Sequence, residues 1–294
     1  MSPADDAGGS GVAVPDSGTT VYDLAADFGR SAKWAVEAGY DAIHLAGANM
    51  GIIQQFLSPF YNRRDDEFGD GVRFLELLHG EIRERAGNVP LLSKVPAETA
   101  APPLLSPRLS LTDGVDIARR LECIGYDAVV PVQTSVFWDA SIVRGAYPAR
   151  SWGDERFREG YADAFGGPLR ARLVAFGNRA QSWSYSFEPG WNEPFCARVS
   201  DAVSIPVLME GGVRKRGQID RLLSAGVCDA VGMGRPFYAE PRLPARLLDG
   251  GDRAVCESCN NCVVPQVTGA DGVCRTPSVL KRRGELRAEG AYER

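Results

Sequence analysis

The sequence predicts an α/β fold in which parallel strands form part of a (β/α) barrel. Short, continuously apolar segments alternate with segments of helical periodicity, which is the pattern of a parallel sheet whose strands are buried on both faces. Glycine ends several of the predicted helices, and an Asp-Ala pair opens the strand that follows. A doubly wound dinucleotide-binding sheet is disfavoured, because no Gly-x-Gly-x-x-Gly follows a first strand.

The chain opens with a segment that does not resemble a folded element. Residues 1–20 are rich in Gly, Ser, Pro and Asp and poor in apolar residues, which is typical of a flexible tail. A helix is predicted from about Asp23 to Ala38, because apolar residues recur at helical spacing and Gly39 stands where a helix C-terminal glycine is expected. The first strand follows within residues 40–47.

The same order of helix, glycine and strand recurs twice. In chain order these units are Gly114–Ile124 with Gly125 and a strand in 126–132, and Gln218–Ala225 with Gly226 and a strand in 227–234. Two more strands, within residues 89–95 and 205–212, follow turns that contain proline. The chain therefore contains about five βα units.

Residues 134–190 interrupt this rhythm. They contain Trp138, Trp152 and Trp183 together with many arginines and loop-forming residues. A long insertion after a barrel strand lies on the C-terminal face, where the chemistry of such barrels takes place. We expect a lid or substrate loop here, and a surface that binds another protein is the alternative.

Two glycine motifs end the last two predicted strands, Glu210-Gly211-Gly212-Val213-Arg214 and Gly232-Met233-Gly234-Arg235-Pro236. Glycine leaves backbone N–H groups accessible, and beside an arginine such groups form a cradle for an anion. In (β/α) barrels the loops after the last two strands are a frequent phosphate site. The two motifs therefore predict phosphate binding, and tight turns that bind nothing are the alternative.

A cysteine cluster lies near the end of the chain. Cys256, Cys259 and Cys262 fall within seven residues, and Cys274 follows twelve residues later. Four thiolates complete a tetrahedral zinc site or hold an iron–sulfur cluster, and the spacing alone favours neither. Disulfides would require an oxidising compartment.

Composition excludes some classes of protein. With 294 residues, 44% of them apolar and 24% charged, the chain has the composition of a globular protein. Its net charge of -5 provides no basic excess to neutralise nucleic-acid phosphates. No apolar run reaches the roughly 18 residues of a membrane span, and the first thirty residues hold no signal-peptide core. We expect a cytoplasmic protein with neither a nucleic-acid nor a membrane partner.

One long segment is specific enough to indicate a family. Gln55–Gly69 reads QFLSPFYNRRDDEFG, and it resembles a segment of the old yellow enzyme family of FMN-dependent ene-reductases. The resemblance is greatest to the 2,4-dienoyl-CoA reductase-like branch, and it extends from about Val21 to Pro277. The resemblance implies an FMN-binding TIM barrel.

The resemblance also implies cofactor-binding residues. Those expected to bind FMN are Lys94, near the flavin pyrimidine where the family usually has an arginine, and Gly211, Gly212, Gly234 and Arg235, which match the family's FMN-phosphate motifs. Cys256, Cys259, Cys262 and Cys274 resemble the 4Fe-4S motif of the branch, although the second gap is one residue shorter. Zinc remains the alternative at these four cysteines.

The comparison implies a domain organisation and a partner. Residues 21–250 correspond to strands four to eight of the family's barrel, with the insertion at 134–190, and residues 251–294 form a cysteine-cluster segment and tail. The family's first three strands have no counterpart in this chain. Five βα units do not close an eight-stranded barrel, and an open edge is a site for pairing. We therefore expect a second polypeptide, or a second copy, to cover that edge.

The active-site positions depart from the family. Its His, its His or Asn, and its Tyr fall on Ala46, Asn49 and Gly51. Ala and Gly neither polarise a carbonyl nor give a proton, so Asn49 is the one remaining hydrogen-bond donor. His44 lies two residues before Ala46, on the same face of a strand, and is a candidate substitute. A packed histidine is the alternative.

These residues lead to a functional expectation with alternatives. The resemblance implies an FMN-dependent oxidoreductase, or a subunit of one, that transfers hydride at an activated C=C bond of a small enone or enoyl-type substrate. In it, a 4Fe-4S cluster passes single electrons to the flavin. The alternatives are a non-catalytic structural or electron-relay subunit of a flavoprotein complex and a zinc-stabilised degenerate barrel.

Overall fold

The computed structural model describes residues 18–100, 107–137 and 140–293. Its strands are β1 Ile43–Leu45, β2 Leu91–Glu98, β3 Ala128–Thr134, β4 Leu208–Glu210 and β5 Ala230–Gly232. The helices in the described ranges are α1 Gly18–Glu37, α2 Ile52–Leu57, α3 Gly71–Ala86, α4 Leu111–Ile124, α5 Ala149–Trp152, α6 Arg158–Ala164, α7 Pro168–Ser184, α8 Glu193–Ser200, α9 Arg216–Ser224, α10 Gly234–Ala239, α11 Leu243–Leu248 and α12 Pro277–Ala288. Most of the predicted tail and Trp138 lie outside the described residues.

The five predicted strands are confirmed, and they are parallel. β2 pairs with β1 on one side and with β3 on the other, while β4 pairs with β5. A parallel bridge between Val129 and Val207 joins β3 to the start of β4. The strand order therefore follows the chain order, as it does in successive units of a (β/α) barrel. Within the described residues, the outer edges of β1 and β5 have no strand partner.

The two faces of this sheet differ. On one face Leu91, Val95 and Val129 are buried in the main core, together with side chains from α1, α3, α4 and α8. Burial of each such side chain stabilises the fold by about 1.5–3 kcal/mol. Because side chains alternate along a strand, His44 and Lys94 lie on the opposite face. The strand register thus gives the site a face separate from the core.

Helix ends follow the glycines that the sequence singled out. Gly39 and Gly125 have φ angles of 90° and 106°, a conformation that glycine adopts without the strain a Cβ would cause. Helix α4 begins with a capping box, in which Ser110 and Asp113 each accept a hydrogen bond from the other's backbone N–H. Helix α1 begins at Gly18, close to the predicted end of the tail at residue 20, and packs against α3.

The insertion after β3 is largely helical. Tyr161 of α6 and Ala171 of α7 form a small apolar core with Val264 of the C-terminal segment. The Ser151 hydroxyl donates a hydrogen bond of 2.7 Å to the Asn261 carbonyl oxygen. The insertion is thereby attached to the segment that carries the cysteines. Across the described ranges, no helix combines the length and the apolar character needed to cross a membrane.

Candidate functional site

A cavity of about 490 Å³ opens at the carboxyl ends of the strands. This is the edge at which (β/α) barrels and other parallel sheets bind their ligands. The side chains and loops around it come from the ends of all five strands and from the segment after the cysteine loop. They include Asn49, Met50, Lys94, Val132, Val143, Trp191, Glu210, Gly211, Gly212, Arg214, Gly234, Arg235 and Gln266.

A larger groove of about 860 Å³ lies between α1, α3 and α4, on the outer helical layer. Its charged side chains are largely paired, for example Arg73 with Glu76 and Arg85 with Glu81. None of the residues that the sequence singled out as candidate site residues lines it. Position at the strand ends, and not size, identifies the smaller cavity as the candidate site.

The cavity brings together most of the predicted site residues. The six that line it are Asn49, Lys94, Gly211, Gly212, Gly234 and Arg235. They come from four separate parts of the sequence, and the strand order alone makes them neighbours. His44 is not among the lining residues, and it is exposed instead of packed in the core.

Lys94 is held by an acidic partner. Its ammonium donates a hydrogen bond of 2.8 Å to a carboxylate oxygen of Glu210 at the end of β4. His44 lies close to this pair: loss of solvent around the imidazole, and then the Lys94 charge, lower the pKa of His44, while Glu210 opposes the shift. The ring is therefore neutral at pH 7.

The backbone after β1 has an unusual conformation at the cavity. Asn49 and Met50 have φ angles of 57° and 62°, which are uncommon for residues with a side chain. Buried glutamines hold this turn, since the Met50 N–H donates to Gln54 Oε1 at 2.7 Å and Gln55 Nε2 donates to the Met50 carbonyl at 2.8 Å. A strained turn that its surroundings fix in place is characteristic of functional sites.

The glycines of the two motifs differ in why a side chain would be excluded. Gly211 and Gly212 have φ angles of 111° and 76°, and a Cβ on Gly211 would lie 2.7 Å from the Trp191 ring. The turn itself therefore requires both of these glycines. Gly234 has no positive φ, and a Cβ there would meet nothing within 4 Å. Only a group approaching from the cavity would be excluded by a side chain at Gly234.

Arg214 and Arg235 line the end of the cavity near the glycines, and Arg144 lies beside Arg235. Arg214 is 7% exposed, and its guanidinium donates to the Val213 carbonyl and to Ser258 Oγ. The Nε atoms of Arg214 and Arg144 are buried and have no hydrogen-bond partner within the described structure. Burial lowers the pKa of Arg214 to about 10, so the group stays charged at neutral pH. Arg235 completes a cationic wall that suits a phosphate.

The cysteine loop is wound around these arginines. Ser258 and Asn260 flank Cys259, and both are left-handed, with φ angles of 56° and 60°. Ser258 Oγ accepts a hydrogen bond from Arg214, and Asn260 Oδ1 accepts one from Arg235. Positive φ angles are uncommon for residues with a side chain, and two of them within three residues fix an unusual path of the backbone around Cys259.

The four cysteines lie near one another without closing on a point. Burial raises the pKa of Cys262 to about 12, and the proximity of Cys256, Cys259 and Cys274 adds to the rise while Arg235 opposes it. In the described part of the chain, no three His, Cys, Asp or Glu side chains are arranged to hold one metal ion. All seven cysteines are free thiols.

Sequence reasoning missed several residues of the site. Arg144 stacks over the Trp191 ring at 4.4 Å and donates a hydrogen bond to Gln133, yet nothing in the insertion singled it out. The buried Gln54 directly precedes the recognised segment Gln55–Gly69 and had no assigned role. Glu210 could have been identified as a site residue from the sequence, because it is a carboxylate at the end of an apolar strand.

Comparison with known proteins gives one family. The chain matches the sequence profile of the NADH:flavin oxidoreductase / NADH oxidase family over residues 17–88. It is 27% identical over 283 residues to a 4,4'-dithiodibutanoate disulfide reductase of Rhodococcus erythropolis, covering 92% of this chain and 66% of that protein. It is 25% identical over 275 residues to an NADH oxidase of Thermoanaerobacter brockii, covering 86% and 36%.

Solved structures show the same fold. The 6-hydroxypseudooxynicotine amine oxidase of Pseudomonas geniculata N1 gives a TM-score of 0.63 at 20% identity, over 93% of this chain and 35% of that one. The old yellow enzyme homologue of Zymomonas mobilis gives 0.55 at 16%, over 90% and 59%. The chain thus spans from 31% to 66% of the length of the curated relatives named first among its matches.

Proposed function

We propose that this chain, which matches the profile of the NADH:flavin oxidoreductase / NADH oxidase family over residues 17–88, is the FMN-binding part of an oxidoreductase of that family. One observation carries the proposal. Asn49, Lys94 and the two glycine motifs, which are far apart in the sequence, line a single cavity at the strand ends. A cavity of this size suits a small cofactor.

The residues of the cavity fit the two ends of FMN. Gly234 leaves its backbone open, and Arg214 and Arg235 provide positive charge for the phosphate. The Nε of Arg214 is buried and has no hydrogen-bond partner among the described residues. Lys94 would lie at the pyrimidine end, where an ammonium stabilises negative charge. FMN, when bound, supplies hydride transfer, while the protein positions it and tunes its charge.

We assign the substrate step to an activated C=C bond of a small enone or enoyl-type molecule. The Asn49 side chain lines the cavity, and its amide is suited to donate a hydrogen bond to a substrate carbonyl. Neither Ala46 nor Gly51 offers a proton, so the proton that completes the reduction comes from another group or from water.

We assign a 4Fe-4S cluster to Cys256, Cys259, Cys262 and Cys274. The left-handed residues on either side of Cys259, the mutual proximity of the thiols and the adjacent arginines support this assignment. Two guanidinium groups beside the thiolates would offset the negative charge of a four-thiolate cluster. A single zinc ion is less well supported by the arrangement of the four thiols.

A second candidate function has its own support. Ala46 and Gly51 replace the family's catalytic residues, and His44 lies outside the cavity lining. These features favour an electron-relay or structural subunit of a flavoprotein complex. In either case we propose that a second polypeptide, or a second copy, covers the unpaired outer edge of β1 or β5, since exposed edges are sites of pairing.

FMN binding is tested by comparing FMN with riboflavin, which lacks the phosphate. We expect FMN to bind at least tenfold more tightly, because the glycine and arginine wall contacts only the phosphate. Gly234→Ala should remove most of that preference by filling the cradle. The measurement is quenching of flavin fluorescence on titration with protein.

Gly284→Ala is the matched control. A Cβ at Gly284 in α12 likewise meets nothing within 4 Å, and Gly284 does not line the cavity, so this variant should bind FMN as the parent does. Equal binding of FMN and riboflavin by the parent protein would contradict the assignment of the phosphate end.

A further inference from the structure

The ion pair between Lys94 and Glu210 lies at the candidate site. It joins β2 to β4 across the intervening β3, on the face of the sheet that carries the site. The two side chains are 17% and 37% exposed, and the Nζ–Oε2 distance is 2.8 Å. Both residues line the cavity, and Glu210 is the one acid among the described residues that do.

The position of Glu210 is built into the sheet. Gly232 of β5 is its partner in the strand register. A Cβ on Gly232 would lie 2.9 Å from Glu210 Cγ, so any larger residue there would displace the carboxylate. Glycine at this point of a strand leaves room for the Glu210 side chain to reach Lys94.

Stability does not account for this pair. Partly exposed ion pairs contribute about 0–1 kcal/mol, and the pair lies away from the main core. Arg214 and Arg235 in the same cavity attract an anionic ligand. The negative charge of the Glu210 carboxylate weakens that attraction. Neither stability nor the binding of an anionic ligand therefore explains why a carboxylate occupies this position.

We propose that Glu210 is a positioning residue that holds Lys94 and offsets its charge at the ring end of bound FMN, which makes the bound flavin harder to reduce and a stronger reductant once reduced. The inference rests on the proposed function. Reduction places negative charge on the flavin ring system, and a lone ammonium beside it would favour the reduced form. A carboxylate 2.8 Å from that ammonium cancels much of the effect.

The test compares the reduction potential of FMN bound to the parent protein and to Glu210→Gln. Loss of the carboxylate charge should favour reduced over oxidised FMN by at least tenfold, a positive shift of about 30 mV for a two-electron couple. Glu210→Asp, which keeps the charge, should retain most of the parent potential. The reduction potential should fall in Lys94→Met. The shift caused by Glu210→Gln should be smaller in the Lys94→Met background than in the parent protein.

Glu76→Gln is the matched control, because it removes the same charge from an exposed pair with Arg73 on α3. It should leave the potential unchanged. A Glu210→Gln potential equal to that of Glu76→Gln, or lower than that of the parent, would overturn this inference while FMN binding stands. Failure of the parent protein to bind FMN would overturn the proposed function as well.

Discussion

Glu240 is the carboxylate on which the C-terminal segment is assembled. It is fully buried, and it accepts hydrogen bonds from Arg246 Nε at 2.7 Å, from the Val255 N–H at 2.6 Å and from the Tyr292 hydroxyl at 2.7 Å. Val255 immediately precedes the first cysteine of the cluster. One buried charge thus fixes the entry to the cysteine loop, and its neutralisation depends on Arg246.

Arg246→Ala should be strongly destabilising, because it leaves Glu240 buried without its counter-charge. We expect a loss of about 3–5 kcal/mol in the free energy of unfolding, measured by urea denaturation. Arg119→Ala is the control, since Arg119 forms an exposed pair with Asp116 on α4, and it should change stability by no more than about 0.5 kcal/mol. Equal losses in the two variants would show that the Glu240 pair is not structurally important.

At the scale of elements, α3 depends on its first residues. Asp70 caps the helix by accepting a hydrogen bond of 3.2 Å from the Val72 N–H, and it also accepts one of 2.9 Å from Arg120 of α4. The hydrogen bond from Arg120 is the main cause that lowers the pKa of Asp70. The same side chain therefore starts one helix and ties it to the next.

Asp70→Ala should cost about 1 kcal/mol of stability at pH 7. The folded-state pKa lies below the unfolded value of about 3.9, so the carboxylate contributes fully above that value and loses its contribution as pH falls through the folded pKa. The difference between parent and variant should therefore shrink below about pH 4. Asp116→Ala is the control, because Asp116 caps no helix. A stability difference between the parent and Asp70→Ala that does not shrink at low pH would contradict the role assigned to the Asp70 carboxylate.

The elements differ in how well the sequence predicts them. Strands β1 to β5 were predictable because each is a short apolar run after a turn. The end of α4 was predictable from Gly125, whereas its start at Leu111 lies three residues before the predicted Gly114. Helix α7 was not, because its large apolar residues Phe176 and Trp183 are 73% and 80% exposed while small or polar residues face inward. This reverses the usual amphipathic pattern.

The site was predictable in part for a similar reason. Motifs with local signatures, such as the two glycine turns, could be assigned from the sequence because each lies within a few residues. Lys94 and Glu210 are 116 positions apart, and only strand order and register bring them together. The winding of the cysteine loop likewise depends on contacts with Arg214 and Arg235, which no local pattern encodes.

At the scale of the whole molecule, five parallel strands follow one another in chain order, and the cavity at their carboxyl ends adjoins the cysteine loop. The strand-end cavity and the cysteine loop share Arg214 and Arg235, which contact the loop and line the cavity. This shared wall places the proposed FMN phosphate and the proposed cluster next to each other. Electron transfer between them would need no large movement of the chain.

The most direct test is the cofactor content of protein purified without oxygen and reconstituted with FMN, iron and sulfide. We predict about one FMN, with about four iron and four sulfide per chain. The Cys259→Ala variant should lose the iron while FMN remains. A colourless protein that contains zinc, and neither flavin nor iron, would contradict this prediction.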